Sequence, residues 1–98
     1  MIIITGSIIA SSDTFEEMLA ISLEHVRRSR SEPGCLSHAV HVDTENPMRL
    51  FFFETWVDRA AVGTHFAVPE SRAFVKAVNR LALEAPSIQI YDATPDGQ

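Results

Sequence analysis

A chain of 98 residues, 46% of them hydrophobic and 21% charged, holds enough apolar material for one domain and too little for two. Eight Lys and Arg against thirteen Asp and Glu leave a net charge of −5, which disfavours a grip on a nucleic-acid backbone, and the single cysteine, Cys35, excludes an intrachain disulfide or a cysteine-built metal cluster. No apolar run approaches the ~20 residues of a bilayer span and Met1-Ile2-Ile3-Ile4 has no basic flank, so the expectation is a cytoplasmic protein with no export signal and no membrane partner.

Ile2 to Ala10 is short and β-branched and reads as a strand. Ser11-Ser12-Asp13 suits a turn, and Asp13 with Glu16 has capping-box spacing for a helix. In that helix Phe15, Met18, Leu19, Ser22 and Val26 share a face, acids open it, and Arg27, Arg28 and Arg30 close it before Pro33-Gly34. From Cys35 to Asp43 the chain alternates, with Leu36, His38, Val40 and Val42 on one side and Ser37, Ala39 and His41 on the other. Thr44-Glu45-Asn46-Pro47 is a turn, and Met48 to Val57 the strongest strand. Asp58 caps a short helix over Arg59 to Phe66, and Pro69 opens another running to about Glu84, with Phe74, Val75, Val78 and Leu81 inward. After Ala85-Pro86, Ile88, Ile90 and Tyr91 mark a last strand.

The order βαββαβ, its second helical region in two pieces, predicts an α+β ferredoxin-like sandwich with a four-stranded antiparallel sheet. One domain over residues 1–98 is expected, with its core in 2–91 and a frayed tail at 94–98. Such a sheet needs only one apolar face, yet Leu50, Phe52 and Trp56 oppose Phe51, Phe53 and Val57, and Ile2 and Ile4 oppose Ile3 and Ile9. A homodimer, pairing the second face with its own copy, is the simplest solution.

Glu54 shares its face with Phe52 and Trp56, where a lone carboxylate costs several kcal/mol unless a cavity or a partner receives it, and His65 is a plausible partner. The pair is either a working acid and base or a hydrogen bond pinning helix to sheet. Other candidates are weaker. Cys35 suits a small buried position at a strand start. His38 and His41 lie on opposite faces and cannot share a metal. His25, on a charged helix, is expected in solvent, as is the Arg27-Arg28-Ser29-Arg30 run. Thr5-Gly6-Ser7 lacks the later glycines of a dinucleotide loop.

Glu32-Pro33-Gly34-Cys35-Leu36, then Phe53-Glu54-Thr55-Trp56-Val57-Asp58, then His65 before Pro69 and a helix with Phe74, resembles the antibiotic biosynthesis monooxygenase family over about Ile2 to Tyr91. The resemblance implies a dimeric α+β barrel with a pocket for small aromatic molecules. Members include oxygenases of quinols and polyketide anthrones that use no cofactor or metal. Others on this fold degrade haem, isomerise a small phosphorylated molecule or have no known activity. Two departures stand out. The Pro-His pair of the family is Pro69-Glu70 here, and its aromatic near residues 37–40 is replaced by His38. Haem degradation is disfavoured, because Gly6 or Ser7 stands where an Asn is required, His65 in place of the Trp, and Val75 near the position of the axial His.

The expectation is therefore a monooxygenase acting on a small quinol or polyphenol with molecular oxygen, with His65 as base and Glu54 orienting its imidazole. Trp56, Phe52, Phe66, Phe74 and His38 would surround the substrate ring. The alternatives are an isomerase or lyase using Glu54 and His65 for proton transfer, and a barrel that binds a ligand or serves a stress response without turnover.

Overall fold

The computed structural model describes residues 1–96, so positions 97 and 98 of the expected tail lie outside the described residues. In chain order the elements are β1 (Ile2–Ile9), α1 (Phe15–Ser29), β2 (Cys35–Val42), β3 (Arg49–Trp56), α2 (Arg59–Ala67), α3 (Pro69–Leu81) and β4 (Ser87–Asp92). The four strands form one antiparallel sheet in the order β2-β3-β1-β4. This is the ferredoxin-like α+β arrangement, with the most apolar strands, β3 and β1, in the middle. No helix among the described residues is long and apolar enough to cross a membrane.

Register decides what faces the helices. Ile90, Ile4, Glu54 and His38 form one row across the four strands, and Ile88, Gly6, Phe52 and Val40 form the next. Two apolar clusters pack on this side. Ile8, Met18, Val26, Leu50, Phe52, Val78 and Leu81 form the larger one, and Ile2, Ile4, Trp56 and Val62 the smaller. Glu54 sits on β3 between Phe52 of the first cluster and Trp56 of the second, so a polar seam separates them. On the opposite side Ile3, Ile9, Phe51, Phe53 and Tyr91 lie uncovered by any helix among the described residues, Phe53 being 39% exposed.

Local expectations fail where backbone hydrogen bonds outrank side-chain pattern. The Asp13–Glu16 capping box does not form. Thr14 occupies the N-cap of α1, and its hydroxyl donates to the Leu81 carbonyl at 3.1 Å, tying the start of α1 to the end of α3. A bulge between Cys35 and Ser37 turns Leu36 outward, 58% exposed, away from the side of His38 where simple alternation puts it. The last helix stops at Leu81 rather than near Glu84, because Ala82 bridges to Ala10 and the Leu83 N–H donates to the Ile9 carbonyl at 2.8 Å. Val75, expected inward, is exposed. By contrast Asp58 caps α2 as read from sequence, accepting from the Ala61 N–H at 2.9 Å, and Pro69 opens α3.

Gly34 turns the chain from α1 into β2 with φ +84°, and a Cβ there would meet Ala61 Cβ at 2.5 Å and Val57 Cγ1 at 2.9 Å. Gly34→Ala is expected to destabilise by about 2–5 kcal/mol, from left-handed backbone strain plus overpacking. Urea unfolding of parent and variant measures it, and a loss under about 1 kcal/mol would mean the turn relaxes easily.

Candidate functional site

Four elements deliver polar side chains to the seam between the apolar clusters. From α1, the buried positions Met18, Ser22, His25 and Ser29 follow helical spacing, so His25 points inward and is 7% exposed. The expectation that it is solvated is corrected: its ring stacks on Phe74 of α3, with centroids 4.0 Å apart and planes 6° from parallel. Arg28 Nη2 lies 2.9 Å from His25 Nδ1. A guanidinium can only donate, so Nδ1 accepts and the neutral ring carries its proton on Nε2. Burial first, then His38, His65 and Arg28, lowers the His25 pKa from 6.5 to about 3.

That shift has a defined sign. As pH falls below 6.5 the unfolded chain takes up a proton that folded His25 refuses until about pH 3, so stability decreases across that window and is fully present above it. The loss is on the order of a few kcal/mol. Urea unfolding at pH 7, 5 and 4 should show a decline that is shallower in His25→Gln, which keeps an acceptor for Arg28. Equal slopes in the two proteins would remove His25 as the cause.

Of the arginine run, Arg27 and Arg30 are exposed as expected, whereas Arg28 is half-buried and turned to the seam. Arg28 Nη1 meets Glu32 Oε2 at 2.9 Å and Arg28 Nη2 donates to Ser71 Oγ at 3.2 Å, while Arg30 Nε donates to the His38 carbonyl at 2.8 Å. Glu32 then uses its other oxygen on α2: Oε1 lies 2.8 Å from His65 Nδ1. A carboxylate accepts, so Nδ1 of His65 holds a proton and Nε2 is left with its lone pair when the ring is neutral. Trp56 lies against that ring, 4.5 Å between centroids.

Glu54 contacts both neighbours on the sheet. Its Oε1 accepts from Trp56 Nε1 at 2.7 Å, and its Oε2 is 3.2 Å from His38 Nε2, though out of line for a hydrogen bond. His65 Nε2 is 3.9 Å from Glu54 Oε1, too far for a direct bond and close enough for both to meet one intervening hydroxyl. The carboxylate in direct contact with His65 is therefore Glu32, whereas Glu54 was expected to orient the ring.

A cavity of about 540 Å³ reaches this polar seam. Glu54, His65, Phe52, Phe66 and Phe74 all line it, together with His25 and Ile4. Trp56 and His38, expected at its wall, are buried behind Glu54 and His65. Arg72 and Asn79 of α3 and Ser87 of β4, all exposed, also line the cavity. Of the functional neighbours, Arg28, Glu32 and His25 escape the sequence reading. Cys35 stays outside the chemistry, since burial first and then the Glu54 and Glu32 carboxylates push its thiol pKa up.

The profile of the antibiotic biosynthesis monooxygenase family matches residues 1–77. An uncharacterised Synechocystis protein, sll1783, is 37% identical over 90 residues, covering 92% of this chain and 61% of its own, so the chain spans about three fifths of that relative. A solved structure described as an antibiotic biosynthesis monooxygenase superposes with TM-score 0.89 at 27% identity, covering 97% of this chain and 100% of its own. One from Deinococcus radiodurans, under the same family description, gives TM-score 0.94 at 25% identity, with 100% and 97% covered.

Proposed function

The chain belongs to the antibiotic biosynthesis monooxygenase family, and from that premise we propose that it oxidises a small quinol or polyphenol with molecular oxygen, without a cofactor, as a cytoplasmic homodimer of one-domain chains. The observation that carries the reading is the His65 imidazole, held by Glu32 through Nδ1 with Nε2 free beside Glu54 at an aromatic-walled cavity.

Ground-state oxygen reacts slowly with closed-shell phenols because the direct step is spin-forbidden, whereas a phenolate gives up one electron far more readily. His65 Nε2 takes the phenolic proton, and Glu32 stabilises the resulting imidazolium. Glu54 accepts from a second donor on the same ring, and Phe52, Phe66 and Phe74 hold the ring and exclude water. One electron passes to oxygen, the radical pair combines into a C–O–O bond, and loss of water leaves the oxidised product. For a hydroquinone the balance is one quinol plus one O₂ giving one hydroxyquinone plus one water.

An oxygen electrode tests this with a panel of hydroquinones, in buffer treated with chelator. Oxygen uptake equal to quinol consumed, far above the rate without protein, is the expected result. Substrate loss under anaerobic conditions would favour an isomerase or lyase, and binding with no turnover in either assay a ligand-holding barrel. Both outcomes overturn the proposal.

A further inference from the structure

Three imidazoles from three elements converge at the inner end of the seam. One ring nitrogen each from His25, His38 and His65 lies within 4.8 Å of the others, and the ring centroids are 5.3, 5.3 and 5.7 Å apart. Packing alone leaves this cluster unexplained, because an imidazole stripped of water needs partners for both nitrogens. His38 is the sharpest case. Its side chain is fully buried, and neither ring nitrogen has a hydrogen-bond partner among the described residues. Glu54 comes within 3.2 Å of His38 Nε2 without aligning, and within 3.9 Å of His65 Nε2. Three imidazoles and a carboxylate therefore crowd together without hydrogen-bonding one another, and buried His38 is left with no partner among the described residues.

We propose that His25, His38 and His65 bind a single divalent transition-metal ion, with Glu54 as a fourth donor. Imidazole nitrogens with one carboxylate suit zinc, copper, nickel or ferrous iron and do not suit calcium or magnesium. In a tetrahedral site with bonds of about 2.0–2.1 Å the donor atoms stand about 3.3–3.4 Å apart, so separations of up to 4.8 Å must shorten by as much as about 1.5 Å. His65 already has the outer partner such a ligand needs, since its Nδ1–H points at Glu32. His25 does not. Arg28 donates into its Nδ1, so binding moves the ring proton from Nε2 to Nδ1, and Arg28 keeps only Glu32 and Ser71, which it already touches. The ion occupies the same Nε2 lone pair that the oxidation reading assigns to proton removal. Ion-bound and ion-free chains are therefore alternative states, and the site stands whether or not quinols are the substrate.

The test uses tag-free, chelator-stripped protein and no quinol. Titration with Co²⁺, followed by visible absorption and calorimetry, is expected to give one ion per chain with d–d bands. His38→Gln should weaken binding by more than about tenfold, while His41→Ala, on the exposed opposite face, should match the parent. Absence of stoichiometric uptake, or equal affinity in His38→Gln, overturns the proposal. Should His38→Gln fail to fold, Zn²⁺ titration of the parent followed through the ¹⁵N resonances of its imidazoles decides the matter. Shifts at His25, His38 and His65 with His41 unmoved support the site, and shifts confined to His41 sink it.

Discussion

Replacing His65 by alanine is expected to lower oxygen-dependent quinol turnover by roughly 10²–10⁴-fold, the range for loss of a positioned general base. The expectation follows from how few groups can do this task. Among the cavity-lining residues, His25 has its Nδ1 occupied by Arg28, and Glu54 already accepts from Trp56. Of the two cavity-lining histidines, His25 carries its proton on Nε2, whereas His65 presents a free Nε2 lone pair to the polar seam. Because the side chain is buried, His65→Gln should accompany the alanine variant, with melting temperature recorded for both. Loss of rate with the fold retained supports the base. Glu32→Gln then separates orientation from proton removal. It keeps an acceptor for Nδ1–H but loses the charge that stabilises imidazolium, so kcat should fall by about tenfold or more while KM holds. A His65→Ala enzyme as fast as the parent would leave the cavity without its proposed chemistry.

Much of this arrangement is legible in the sequence, because period and punctuation carry local structure. The β-branched and aromatic runs give β1 and β3, Asp58 and Pro69 mark two helix starts, and the even spacing of Phe52, Glu54 and Trp56 puts a carboxylate on the helix-facing side. His25 was within reach as well. Met18, Ser22, His25 and Ser29 trace one helical stripe, but the surrounding charges argued for solvent, and position on the face outweighs the charge of neighbours in sequence. Glu32 is different. Its spacing to Arg28 predicts an ion pair, whereas its contact with His65 spans 33 positions and exists only once α2 packs against the turn between α1 and β2. Leu36 escapes for a third reason: one extra residue in a bulge reverses alternation, and nothing in the side-chain pattern announces it.

Phe53→Glu is expected to turn a dimer into a monomer. Phe53 lies on β3 next to Thr5 of β1 and Ala39 of β2, at the middle of the sheet face that no helix covers, with Ile3, Phe51 and Tyr91 nearby. Stable folded chains rarely leave such a patch to water, and its central position makes pairing through a two-fold axis the simplest cover. In such a pairing each copy contributes the same residue. At 39% exposure each Phe53 has about two fifths of its surface left to bury, so the two symmetric positions supply about 1–2 kcal/mol, and leaving two new carboxylates in an apolar interface costs several kcal/mol more. That corresponds to a weakening of dimerisation by about 10²–10⁴-fold or more. Light scattering at micromolar concentration should return twice the chain mass for the parent and the single-chain mass for Phe53→Glu. The cavity lies on the opposite side of the sheet, so the variant also asks whether turnover needs the second copy: a folded monomer that retains the parent's rate per chain would confine the chemistry to one protomer. A parent that is itself monomeric would mean that the aromatic face is tolerated in water, and the pairing argument would fall with it.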